Sequence, residues 1–144
     1  MKNTMNWNFD NSYSRLSNSF KEHIEPVAVK NPELVLINQD LAKELNLDFS
    51  KNDKNELAAL FSGNILPEGS NSIAQAYAGH QFGHFTMLGD GRAVLIGEHL
   101  TKNNERYDVQ FKGSGKTAFS RNGDGRAALG PMLREYIISE AMHN

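Results

Sequence analysis

Lys112, Arg121 and Arg126 stand among glycines in two short polar clusters, Lys112-Gly113-Ser114-Gly115 and Arg121-Asn122-Gly123-Asp124-Gly125-Arg126. A third cluster, Leu88-Gly89-Asp90-Gly91-Arg92, precedes them. Glycine lets a main-chain N–H approach an anion closely, and the interleaved Lys and Arg supply the charge a polyphosphate requires. A nucleotide is the first ligand this pattern suggests.

Gly113-Ser114-Gly115-Lys116-Thr117 has the ending of a Walker A loop but not its spacing. A P-loop carries a further glycine five positions before its final Gly-Lys-Thr, and that position here is Gln110. The alternation of Tyr107-Asp108-Val109-Gln110-Phe111-Lys112 instead predicts a strand running into Lys112.

The elements expected to position the clusters are short strands and one helix. His84–Leu88 and Ala93–Gly97 are apolar runs on either side of Gly89-Asp90-Gly91, so the glycines predict a turn joining two paired strands. The next strand, from Arg106 to Lys112, should place Tyr107, Val109 and Phe111 on one face and Asp108, Gln110 and Lys112 on the other. From Pro131 to His143 the pattern is helical, with an apolar stripe at Leu133, Ile137 and Ala141 and Glu135 near its edge. A glycine turn between strands, a lysine on the next strand and a glutamate on the following helix is the element order of a protein-kinase N-lobe, in which the glutamate steadies the lysine at the phosphates. The kinase glycine-loop and Val-Ala-Ile-Lys motifs themselves are missing from the sequence.

Five blocks in fixed order carry a more specific signal: Tyr77-Ala78-Gly79-His80-Gln81-Phe82-Gly83, Leu88 to Ala93, Lys112 to Gly115, Ser120 to Ala127, and Arg134-Glu135-Tyr136 through Ser139 to His143. With Asn38-Gln39-Asp40-Leu41-Ala42, they closely resemble the selenoprotein O family. That resemblance implies a pseudokinase fold that binds ATP in an orientation reversed from kinases and transfers AMP to Ser, Thr or Tyr hydroxyls of proteins. It implies nucleotide contacts from Gly89, Gly91, Arg92, Lys112, Asp124 and Gly125, with Glu135 pairing with Lys112. The family's further phosphate-binding arginines, catalytic aspartate and magnesium ligands come later in its sequence than Asn144, so no catalytic or metal residue is assigned here. The expectation is an isolated N-lobe, inactive by itself, whose ATP and Mg2+ chemistry needs the following lobe.

The fold class expected is α+β: a kinase-like N-lobe with a twisted antiparallel sheet and one packed helix over residues 71–144, preceded by an amino-terminal extension over 1–70. In that extension, Trp7, Phe9, Tyr13, Leu16 and Phe20 are spaced like anchors of an arm lying on a partner surface. Glu33–Ile37 is expected to be a short strand, Gln39–Leu45 and Lys54–Phe61 helices, the second closed by Gly63.

Of the 144 residues 39% are hydrophobic, enough for one modest core, and none is cysteine, which excludes a disulfide scaffold. A formal charge of −2 argues against nucleic acid as a main partner. No apolar run reaches membrane-span length and Met1–Trp7 leads into no apolar signal segment, so a cytoplasmic protein is expected. His80 and His84 would share a face on a helix, but Gly79 and Gly83 interrupt the segment and no His-Glu-x-x-His pattern is present, so no metal site is expected there. A non-catalytic ATP-binding regulatory module and a true protein kinase are the alternative readings.

Overall fold

The computed structural model describes residues 5–143; the first four residues of the amino-terminal stretch lie outside it. In chain order the strands are β1 (Lys21–His23), β2 (Ile73–Gln75), β3 (Ala78–Gln81), β4 (His84–Met87), β5 (Ala93–Leu100) and β6 (Arg106–Lys112). The helices are α1 (Gln39–Glu44), α2 (Lys54–Phe61) and α3 (Leu129–His143). This is the α+β arrangement expected, consistent with a kinase-like N-lobe.

Both early helices start where local chemistry dictates. The Asn38 side chain accepts from the N–H groups of Asp40 and Leu41, and Asp53 and Glu56 form a reciprocal capping box. Gly63, at φ +80°, follows the end of α2 as expected. The strand expected over residues 33–37 does not form. Leu34 and Ile37 are spent on packing against the core around Trp7, and no neighbouring strand offers that segment a ladder.

The main sheet is antiparallel with order β1-β2-β5-β6. Val94, Leu95 and Ile96 of β5 are almost wholly buried at its centre. On β6, Val109 and Phe111 are partly buried while Asp108, Gln110 and Lys112 are exposed, so the expected alternation holds over the last four residues, whereas Tyr107, expected on the inner face, is exposed near the strand's start. The expected hairpin does not. Residues His84–Met87 pair with β3 around a two-residue Phe82-Gly83 turn, whereas β5 pairs with β2 and β6. The Gly89–Gly91 segment stays bonded to the strand opposite, Gly89 N–H to Tyr77 O and Asp90 N–H to Gln75 O. It is an irregular stretch within one long ribbon, and the ribbon turns at residues 82–83 instead.

Trp7 and Phe9 pack on this chain's own sheet rather than leaving their rings for a partner. Trp7 is buried, stacked on Phe9 at 5.3 Å and edge-on to His99 at 5.6 Å. His99 is buried too; its Nδ1 accepts from Asn8 N–H, so Nε2 carries the proton and donates to Leu45 O at 2.7 Å. Glu98, also buried, takes hydrogen bonds from Ser12 Oγ, Tyr13 N–H and the Arg106 guanidinium. Arg106 reaches Asp10 as well, and together with Arg15 it holds the Asp10 carboxyl below its ordinary range. Tyr13, Leu16 and Phe20 are not core residues; Phe20 is 51% exposed.

A lysine–glutamate pair beside a glycine-rich turn

Lys112 closes β6 on the sheet face away from Phe111, and its Nζ meets both carboxylate oxygens of Glu135 on α3, at 2.8 and 2.7 Å. The side chains are 41% and 51% exposed, so water screens the pair and its worth to stability is about 0–1 kcal/mol. An ammonium has three donors, and a carboxylate gripping it on one side leaves it aimed and still able to meet an anion. Helix α3 begins two residues before the proline expected to open it. Its inner face is Pro131, Met132, Leu133, Tyr136 and Glu140, each half-buried, while Ile137, expected in the apolar stripe, is 63% exposed.

The glycine-rich turn lies beside this lysine. Ala93 is the register partner of Lys112, and Gly113 N–H donates to Arg92 O at 2.7 Å, which sets Arg92 next to the strand end. Thr117 Oγ1 donates to Asp90 O and Ser120 Oγ donates to Gly91 O, so the loop after Lys112 holds the turn from below. Thr117 is buried and committed to that bond, so Gly113–Thr117 is no Walker A loop. The glycines differ in role. Gly89 sits at φ +58°, and a Cβ there would lie 2.6 Å from the Phe119 ring and 2.8 Å from Gln75 O, whereas Gly91 has an ordinary φ and its nearest neighbour would be Phe119 O at 3.5 Å.

Asp90, between them, is a residue whose role the sequence does not signal, because an Asp flanked by glycines looks like turn punctuation. It is buried, accepts from Gln75 N–H at 3.0 Å and ties the turn to β2. Burial raises its pKa, with the Gln75 hydrogen bond opposing in part. The raised value means the folded state holds the proton more tightly, so stability from this group is greatest below the unfolded pKa and is lost as pH rises through the folded one. An Asp90→Asn variant, which keeps an acceptor for Gln75 N–H, should therefore gain stability relative to wild type as pH rises from about 4 to about 7, read as a growing difference in melting temperature.

The third cluster approaches through backbone contacts. Ser114 bridges Arg126, and Gly115 N–H donates to Gly125 O. Gly125 is buried at φ +72°, with the Gly115 backbone where its Cβ would stand. Asp124 is exposed, and its Oδ1 accepts from Arg126 N–H at 2.9 Å. Arg126, one of the basic residues expected to supply charge to a polyphosphate, spends its guanidinium on Val27 O and Ala28 O. Lys112 and Glu135 are in direct contact and Arg92 is tied to the end of β6 through Gly113; Gly91 is linked only through Ser120, Gly89 is bonded to Tyr77 instead, and Gly125 joins through Gly115 with Asp124 beside it.

The β3–β4 hairpin extends the ribbon past this turn. Ala78, His80, Phe85 and Met87 share one of its faces by register, with Phe85 70% and Met87 84% exposed. His80 and His84 lie on opposite strands of it, and among the described residues no group of three His, Cys, Asp or Glu is placed to hold a metal ion. Also among the described residues, no helix is long and apolar enough to cross a membrane.

Residues 3–144 match the family described as Protein adenylyltransferase SelO. The chain belongs to the SelO family. It is 76% identical over 140 residues to a protein nucleotidyltransferase YdiU of Pelagibacter ubique, covering 97% of this chain and 29% of that protein. With the proteins of the same description from Nitrosococcus oceani and Anoxybacillus flavithermus it is 65% and 63% identical, over 95% and 96% of this chain and 28% and 29% of theirs. The chain therefore spans under a third of the length of these SelO relatives.

Proposed function

We propose that residues 71–144 form the nucleotide-binding part of a protein adenylyltransferase that moves AMP from ATP to Ser, Thr or Tyr hydroxyls, with the preceding extension supplying the edge strand β1 and the core around Trp7. The observation that carries this reading is the solvent-open Lys112–Glu135 pair, which adds little to folding yet holds an ammonium beside Arg92 and the glycine turn. Gly89, Gly91, Arg92 and Lys112 would meet the phosphates, with Asp124 and Gly125 contributing from the neighbouring loop. Mg2+ would be held by residues that follow these in the family's sequence.

In this reading ATP is activated only with the remaining length of the family, and these residues alone bind it weakly. Calorimetric titration of the 144-residue chain with ATP should give micromolar-to-millimolar affinity, lost in Lys112→Ala, and no AMP transfer. Absence of binding at millimolar ATP, or binding indifferent to Lys112→Ala, would contradict the reading.

A further inference from the structure

Phe82 and Gly83 are the two central residues of the β3–β4 turn, at φ +58° and +80°. Positive φ at both positions marks a type I′ turn, which favours Asn, Asp or Gly at the first of them. A phenylalanine there adopts a conformation its Cβ resists, and such residues concentrate at working sites. Nothing in the core compensates, because the Phe82 ring is 69% exposed. One face of it meets the Arg121 guanidinium, 5.9 Å from the ring centroid, and Arg121 is itself at φ +54°.

A chain of contacts brings this ring back to the lysine site. Arg121 follows Ser120, whose hydroxyl donates to Gly91 O; Arg92 comes next, and its carbonyl accepts from Gly113 N–H beside Lys112. The hairpin tip thus lies one arginine side chain from the loop that holds the glycine turn. A flat ring and a guanidinium are the two side-chain surfaces on which a nucleobase stacks.

We propose that Phe82, backed by Arg121, is the platform on which the base of the bound nucleotide stacks, so that the hairpin recognises the base while Lys112 and Arg92 meet the phosphates. This rests on the nucleotide reading above, and ligands with and without a base separate the two ideas. The 144-residue chain is titrated with ATP and with inorganic tripolyphosphate, comparing wild type, Phe82→Gly and Phe82→Trp. Phe82→Gly should bind ATP about tenfold or more weakly, as loss of one base–aromatic stack implies, and tripolyphosphate as well as wild type does. Its melting temperature should not fall, since glycine accepts the positive φ. Phe82→Trp should keep ATP affinity, and its fluorescence should change with ATP but not with tripolyphosphate.

Unchanged ATP affinity in Phe82→Gly would overturn the stacking role while leaving the nucleotide reading intact. Equal weakening of both ligands would overturn it too, by showing that the ring merely shapes the phosphate site. Failure of wild type to bind either ligand would remove both ideas together.

Discussion

Lys112→Ala, in a protein of full family length carrying these residues, is expected to lose AMP transfer by at least about a hundredfold while its melting temperature moves by no more than a few degrees. The two effects separate because the Lys112–Glu135 contact is half exposed on both sides and contributes at most about 1 kcal/mol to folding. Its value lies in aim: the 2.7 and 2.8 Å contacts fix an ammonium on the last residue of β6, beside Arg92. Glu135→Gln should be milder, because an amide still accepts one hydrogen bond from Nζ but no longer balances its charge. Steady-state transfer assays beside thermal melts read both quantities. Full activity in Lys112→Ala would take the lysine out of the mechanism.

The second large effect divides two glycines only two residues apart. Gly89→Ala should destabilise by about 2 kcal/mol or more, since it combines positive φ with overlap against the Phe119 ring and Gln75 O. Gly91→Ala meets only an ordinary contact, so its stability should stay within about 0.5 kcal/mol of wild type. If a phosphate approaches the turn at Gly91, that added methyl should nonetheless weaken ATP binding. Urea unfolding and ATP titration of the two variants should show opposite patterns: the first loses the fold, the second the ligand. A loss of stability in Gly91→Ala would make it a folding glycine like its neighbour.

How far the sequence was legible follows from the range of the forces involved. The Lys112–Glu135 pairing could be anticipated because the family resemblance and the kinase-like element order imply it, while strand alternation fixes which way Lys112 points. The capped helices α1 and α2 were legible for a local reason. The hairpin was misplaced because Gly89-Asp90-Gly91 has turn composition, while the actual turn uses Phe82-Gly83, a pair without the usual Asn-Gly signal. What distinguishes them is tertiary: Asp90 and Gly89 bond across to Gln75 and Tyr77, contacts no local window contains. Trp7 reads as an exposed anchor only until His99, 92 positions away in the chain, folds beneath it. Period alone places Ile137 on the inner face of α3, but the half-buried side of the helix is the one carrying Met132, Leu133, Tyr136 and Glu140, which leaves Ile137 outward.

The most direct measurement of the central claim is the intact mass of a hydroxyl-bearing protein substrate after incubation with ATP, magnesium and a protein of full family length carrying these residues. An added AMP, absent in the Lys112→Ala control, is the predicted result. An added phosphate would make the protein a kinase, and an unmodified substrate despite measurable ATP binding would make it a nucleotide-binding regulator; either contradicts adenylyl transfer.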